Sequence, residues 1–170
     1  MAITVIVEDG SGVTGANSYA SILTIDAYVL TNPHDSTWTA LTEAQKNGYA
    51  VWSCRVLNEQ MNWDGWQVSD TQALDLPRSG MIDKNGNAID DDEIPSEVVN
   101  AQCELARLFA IGDRTADNDM AGFKQIEVGS INLVADKSDR PNVLAPSVYN
   151  MIKWYGSKTT SKGIGQTIRI

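Results

Sequence analysis

The segment Thr42–Gln45 most strongly constrains the fold, because it has the sequence of a helix capping box. In such a box the threonine hydroxyl accepts a hydrogen bond from the amide of Gln45, whose side chain reaches back to the amide of Thr42. The pattern predicts a helix that begins here and ends at about Met61. Its predicted core-facing residues are Tyr49, Trp52, Val56 and Leu57.

Three further segments have apolar residues at helical spacing. The predicted helices run from a start between Ser18 and Thr24 to just before Asn32-Pro33, from about Pro95 to Gly112, and from about Ala145 to Tyr155. Proline suits a first helical turn because its missing N–H is not needed there, and Asp90–Glu93 lies where the positive end of the helix dipole favours acids. The predicted core stripes are Ile22, Ile25, Tyr28 and Val29, then Val98, Ala101, Leu105, Leu108 and Phe109.

Strand signals are short and few. Ile3–Val7 is β-branched and predicts a short strand, and residues 123–135 alternate around Gly129-Ser130, which predicts a hairpin with a type II′ turn. Residues 62–93 carry turn chemistry and predict an ordered loop region, within which Asn85-Gly86 could close a small hairpin between Ile82 and Ile89. The predicted class is therefore mainly α.

The predicted organisation is one four-helix domain over residues 1–156, with the β-hairpin at about 123–135, followed by an extended tail over residues 157–170. A chain of 170 residues is long enough for one core without staples. Cys54 and Cys103 lie in apolar helical patterns and predict small core residues in a reducing compartment. No apolar run approaches the length of a membrane span, and the first residues do not resemble a signal peptide.

Charge is distributed unevenly. The net charge is -9, but residues 1–139 hold 8 cations and all 22 acids, whereas residues 140–170 hold 5 cations and no acid. An acidic body repels phosphate backbones, which argues against nucleic acid as the main ligand. A basic end favours an acidic partner, or a second copy of the chain's own acidic body.

Residues Gly10–Gly15 match the glycine fingerprint of dinucleotide-binding enzymes. That fingerprint needs a following helix whose N-terminus holds the pyrophosphate, within a parallel sheet. Glu8 and Asp9 would place two negative charges beside the phosphates, and no later alternation of strands and helices supplies the sheet. A flexible glycine turn is the favoured interpretation, and a dinucleotide enzyme stays an alternative that cofactor titration would test.

Other catalytic and metal signals are weak. His34 is the only histidine and lies in a turn, which favours a solvated loop residue over a catalytic base. Aligned as a calcium loop, the segment from Asp83 places Ala88 where glycine is needed and Ile94 where the bidentate glutamate belongs. We therefore predict no enzyme activity, no catalytic residue, no cofactor and no EF-hand. A loose surface cation near Asp90–Glu93 remains open.

The five tryptophans could stack on the bases of single-stranded nucleic acid, but such a site needs a basic groove beside the rings. Trp63 and Trp66 flank Asp64, and Trp38 has no cation near it before Lys46. Core or interface packing is therefore the favoured interpretation.

The end of the chain alternates like a strand. Thr167 and Arg169 would lie on one face of this strand, and Ile168 and Ile170 on the other. Such a segment can add to an exposed sheet edge of a partner through main-chain hydrogen bonds. The residues predicted to bind a partner are Lys158, Lys162, Ile164, Thr167, Ile168, Arg169 and Ile170.

The order of several motifs resembles one protein family. These motifs are Val7-Glu8-Asp9-Gly10, Gly15-Ala16-Asn17-Ser18-Tyr19, Trp63-Asp64-Gly65, Gln72-Ala73-Leu74, Pro77-Arg78-Ser79-Gly80, Asp83-Lys84-Asn85-Gly86, Ile94-Pro95 and Glu104-Leu105-Ala106. Together they resemble the head-tail adaptor, or connector, proteins of tailed bacteriophages, in the subgroup labelled DnaT-like single-stranded DNA-binding proteins. The resemblance spans roughly residues 5–112.

The resemblance implies a mainly helical virion protein that forms a ring beneath the portal, commonly of twelve copies, at the head-tail interface. It implies that the C-terminal tail docks on the portal protein, that the opposite face receives a tail or nozzle protein, and that DNA passes through the centre. Assembly would take place in the host cytoplasm. The alternative function is a single-stranded DNA-binding module, as the subgroup label suggests.

Overall fold

A computed structural model describes residues 3–116, 125–128, 131–134 and 142–159; for the two middle segments it describes the backbone only. Helix α1 spans Ile22–Val29, α2 Glu43–Gln60, α3 Ser96–Ile111 and α4 Pro146–Ile152, and one 3-10 turn spans Trp38–Ala40. Strands are β1 Met61–Trp63, β2 Trp66–Gln67, β3 Arg78–Ser79, β4 Gln125–Val128, β5 Ile131–Val134 and β6 Gly156–Lys158.

Helix α2 forms where its capping box predicts. The amide of Gln45 donates to Thr42 Oγ1 over 3.4 Å, and the amide of Thr42 donates to Gln45 Oε1 over 3.0 Å. Val56 and Leu57 are buried as predicted, but the prediction for Trp52 is wrong, because its side chain is 37% exposed.

The other three helices also form close to their predicted positions. Ser21 caps α1 by accepting from the amide of Thr24, and Pro146 occupies the first turn of α4. Helix α4 ends at Ile152, three residues before the predicted Tyr155, where a tighter turn bonds the amide of Tyr155 to the carbonyl of Ile152.

Helix α3 is the central element and packs against α1, α2 and α4. Its apolar stripe supplies Val98, Ala101, Leu105 and Phe109 to the core, as predicted, whereas Leu108 is only partly buried. One face of α3 joins the large core with α2 and α4, and another joins a smaller core with α1 and the 3-10 turn. Every helix of the described residues is thereby anchored to α3.

The fold combines helices with small pairs of strands, whereas a mainly α fold was predicted. The strands form two-stranded antiparallel sheets, in which β1 pairs with β6, β2 with β3, and β4 with β5. The predicted hairpin at 123–135 is confirmed, with Val128 opposite Ile131; its turn residues lie outside the described residues.

The predicted strand over Ile3–Val7 does not form. Its only ladder contact among the described residues is a single parallel bridge between Val7 and Ser18. Asn17 takes the place of a neighbouring strand, since its side chain accepts from the amide of Ile6 and donates to the carbonyl of Thr4.

The small hairpin predicted at Asn85-Gly86 forms only in part, as an isolated antiparallel bridge that joins Ile82 to Ala88 rather than to Ile89. Gly86 has a positive φ but Asn85 does not, so the turn is not a two-residue turn of the type that requires positive φ at both residues. Asp83 supports a longer turn instead, by accepting from the amides of Asn85 and Asn87.

Among the helices of the described residues, none combines the length and the apolar character that crossing a bilayer requires.

Candidate binding surfaces

The C-terminal segment begins as a strand on the body. In β6, Gly156 lies opposite Trp63 and Lys158 lies opposite Met61. The pairing extends at both ends, because the amide of Asp64 donates to the carbonyl of Tyr155 and the amide of Thr159 donates to the carbonyl of Gln60, each over 2.9 Å. The chain is therefore held to the body as far as Thr159.

Glycine is needed at the first position of β6. A Cβ at Gly156 would collide with the backbone carbonyl of Asn62, so the two strands approach closely only because no side chain separates them. Tyr155 just before it is buried and fixes the entry to the strand.

Of the seven residues predicted to bind a partner, Lys158 alone lies within the described residues. Its ammonium group lies 4.4 Å from the centre of the Tyr149 ring, a cation–π distance. The others lie outside the described residues: Lys162, Ile164, Thr167, Ile168, Arg169 and Ile170.

The glycine-rich loop binds a carboxylate of its own chain. Glu8 is 1% exposed, and its Oε1 accepts from the amides of Gly10 and Gly12 over 3.0 and 2.9 Å. The amides that would cradle a phosphate are therefore occupied by Glu8. The next helix, α1, does not begin until Ile22, which agrees with the preference for a simple turn over a dinucleotide site.

From the sequence, Glu8 is predicted only to repel phosphate, and its burial is not predicted. The spacing alone indicates this contact, because an acid two and four residues before glycines can accept hydrogen bonds from their amides.

Most cations of the described residues already have partners. Lys46 pairs with Asp26, Arg55 with Glu59, Lys84 with Glu97, and Arg107 with both Asp35 and Glu104. Arg78 and Arg114 donate to backbone carbonyls. Residues 3–116 hold 17 acids and 6 cations, an excess of 11 negative charges. This part of the surface offers phosphate groups little free positive charge.

Three of the five tryptophans are exposed: Trp52, Trp66 and Trp154. Arg55 lies 5.0 Å from the centre of the Trp52 ring, and Lys153 lies 5.5 Å from that of Trp154. Core packing is confirmed for Trp38 and Trp63, whereas interface packing of the three exposed tryptophans stays a prediction. The exposed rings with adjacent cations are the features of this surface most like a stacking platform for bases.

The lone histidine and the two cysteines, all within the described residues, lie in different environments. His34 is exposed on its turn, as predicted. Cys54 and Cys103 are buried and unpaired, and burial raises the pKa of each thiol to about 12, so both are protonated at neutral pH. Within the described residues no three histidine, cysteine or acidic side chains are close enough to hold a metal ion.

A protein-family model matches residues 3–169, nearly the whole chain. Its description is "Putative DnaT-like ssDNA binding protein", and the chain belongs to this family. No curated protein and no solved structure matches the chain.

Proposed function

We propose that the chain is a head-tail adaptor of a tailed bacteriophage, a structural virion protein that forms a ring of about twelve copies beneath the portal. The body contacts its own copies, the C-terminal segment docks on the portal protein, and the opposite face receives a tail or nozzle protein. The protein binds and positions other components and performs no reaction.

The pairing of β6 with β1 carries this proposal. It holds the chain at the body surface up to Thr159 and gives it an extended conformation there. A segment that leaves a body in β conformation is suited to continue as a strand on a partner's sheet edge. The residues beyond Thr159 hold Lys162 and Arg169 and no acid, so the same segment also suits an acidic partner.

The charge of the body supports a passive role toward DNA. Because residues 3–116 carry an excess of acids and most of their cations are paired, a channel wall formed by this surface would repel phosphates. DNA could then slide through the ring during ejection without binding. A map of the assembled channel with a basic wall would contradict this part of the proposal.

Electron microscopy of the protein mixed with its portal tests the proposal. We expect rings on the portal with the full chain and a loss of binding when residues 160–170 are removed, because this cut leaves β6 intact on the body. A second truncation that removes residues 157–170 shows the effect of losing the strand as well. Undiminished binding by the shorter forms would refute the tail assignment, and no association of the full chain with the portal would refute the adaptor role.

Single-stranded DNA binding is the second candidate function, and the family's description favours it more directly than it favours the adaptor. The observation on the molecule that supports it is the pairing of exposed Trp52 and Trp154 with Arg55 and Lys153. Aromatic rings beside cations can stack on bases of any sequence.

Fluorescence anisotropy with a labelled thymidine oligonucleotide at physiological salt decides between the two functions. The adaptor proposal expects no tight binding. Tight binding that falls on Trp52→Ala or Trp154→Ala, while an exposed apolar control such as Leu23→Ala keeps it, would establish the DNA-binding function instead.

A further inference from the structure

A cavity of about 520 Å³ lies between the glycine-rich loop and the segment that precedes α3. Five carboxylate side chains line it: Glu8, Asp9, Asp90, Asp92 and Glu93. No cation is among its lining residues. Hydrogen bonds from the Ser11 hydroxyl and amide lower the pKa of Asp9, so this group stays ionised at neutral pH. The cavity is therefore strongly electronegative.

Glu8 has one carboxylate oxygen without a partner. Its Oε1 accepts two amides of the loop, but its Oε2 is buried and has no hydrogen-bond partner among the described residues. A buried carboxylate oxygen without a donor is costly, since the water it has lost is not replaced. The missing partner is thus a hydrogen-bond donor, and the surrounding acids favour a positively charged one.

The shape and walls of the cavity fit a long cationic side chain better than a bare metal ion. Its volume is many times that of an ion, and Val7 and Ile94 contribute apolar wall beside the carboxylates. The aliphatic stem of arginine or lysine packs on such walls while its charged end meets the acids. Arginine fits best, because its planar guanidinium can donate to several carboxylate oxygens at once.

We propose that this cavity receives Arg169 from the C-terminal segment of a second copy of the chain, in the free protein before that segment meets a portal. The chain itself supplies both halves of the contact, since the cavity carries five acids and residues 140–170 hold five cations and no acid. The inference rests on the proposed function in one respect, namely that copies of this chain associate with one another.

Fluorescence anisotropy with a labelled peptide of residues 160–170 and the full chain tests the contact. The matched control peptide carries citrulline in place of Arg169, which keeps the shape and removes the charge. We expect the citrulline peptide to bind about tenfold more weakly or worse, because a charge-assisted hydrogen bond is lost.

The Glu8→Gln variant of the full chain should weaken binding of the arginine peptide to a similar extent. Glutamine keeps an oxygen for the amides of Gly10 and Gly12 and replaces only the unpartnered Oε2. The control variant Asp70→Asn removes an exposed acid that does not line the cavity and should bind normally. If Glu8→Gln does not fold, Asp92→Asn removes an exposed acid of the cavity lining and should also weaken binding.

Equal binding of the two peptides, or wild-type binding by the cavity variants, would overturn the proposal. Sedimentation equilibrium then tests whether the occupant is a second copy: the mean mass should rise with concentration for the wild type and rise less for Arg169→Gln. A mass that does not change with concentration would overturn the second-copy assignment. Neither assay contains a portal, so failure here is distinct from failure of portal binding.

Discussion

At the scale of single residues, the backbone around Gly10 is the most tightly constrained part of the loop. Gly10 has a φ of 105° and Gly12 a φ of 75°, both in the region that favours glycine. A Cβ at Gly10 would also collide with the backbone carbonyl of Asp92, whereas a Cβ at Gly12 would meet nothing within 4 Å. An alanine at Gly12 therefore introduces conformational strain alone, whereas an alanine at Gly10 introduces strain and a collision.

We predict that Gly12→Ala lowers the free energy of unfolding by about 1 kcal/mol, the cost of placing alanine at positive φ. Gly10→Ala should cost more, because the loop must also move away from Asp92. Urea unfolding of both variants measures the difference. Equal stability of the two would show that the loop and the segment before α3 do not contact each other as described.

A second prediction at this scale concerns Asp83, whose carboxylate supports the turn at residues 83–87. Hydrogen bonds from the Asn87 side chain and amide, and from the Asn85 amide, lower the pKa of Asp83 to about 2. Because the folded pKa lies below the ordinary value, this group stabilises the turn above that value and ceases to do so as the pH falls toward 2.

Asn87→Ala should move the pKa of Asp83 up toward its ordinary value, since it removes the largest of these hydrogen bonds. A carbon-detected NMR titration of the Asp83 carboxyl measures the shift. Lys84→Ala serves as the control, because Lys84 does not bond Asp83 and pairs instead with Glu97. An unchanged pKa in Asn87→Ala would contradict the described turn.

At the scale of elements, the capping box gives the clearest prediction. Thr42→Ala should lower the free energy of unfolding by about 1 kcal/mol, because it removes the hydroxyl that accepts from the amide of Gln45. Thr42→Ser keeps the hydroxyl and should be close to wild type. Thermal unfolding followed by circular dichroism compares the two, and equal losses would show that the cap does not stabilise α2.

The helices could be predicted because their signals are local. Caps, prolines and apolar spacing lie within each helix, and all four helices formed near their predicted bounds. The prediction that Trp52 faces the core was wrong, because apolar spacing shows only approximately which face of a helix packs inward. It does not show where the neighbouring helix ends.

The short strands could not be predicted in the same way. β1 and β6 are three residues each and pair across more than ninety positions of the chain, so neither carries a periodic pattern. For Ile3–Val7 the opposite error arose, since β-branched residues favour extended backbone but do not supply a partner strand. The cavity at Glu8 could not be predicted either. It forms where residues 90–93 approach the glycine-rich loop, and no local pattern in the sequence indicates that approach.

At the scale of the whole molecule, Arg107 connects parts of the chain that are far apart in sequence. From α3 it donates to Glu104 over 2.7 and 2.9 Å and to Asp35, in the turn after α1, over 3.1 Å. The Asp35 side chain is 1% exposed. Burial alone would raise the pKa of Asp35, but hydrogen bonds from Trp38 and Arg107 outweigh it, and the pKa is lowered.

We predict that Arg107→Ala lowers the free energy of unfolding by about 3 kcal/mol, because it leaves the buried Asp35 carboxylate without its cation. Arg55→Ala is the matched control: its pair with Glu59 is exposed, so the loss should be below about 1 kcal/mol. Chemical unfolding at neutral pH compares them. Equal losses would show that the Arg107 contacts add no more than an exposed ion pair.

The pairing of β6 with β1 also determines how the body would respond to tension on its C-terminus. Its hydrogen bonds follow one another along the chain, from Thr159 back to Tyr155. If a pull on the tail is directed away from β1, it loads these hydrogen bonds one at a time, and we expect the strand to detach before the core is disturbed. Peeling stops at Tyr155, whose ring is buried. Under such a pull, β6 would serve as a short tether that lengthens while the rest of the fold stays intact.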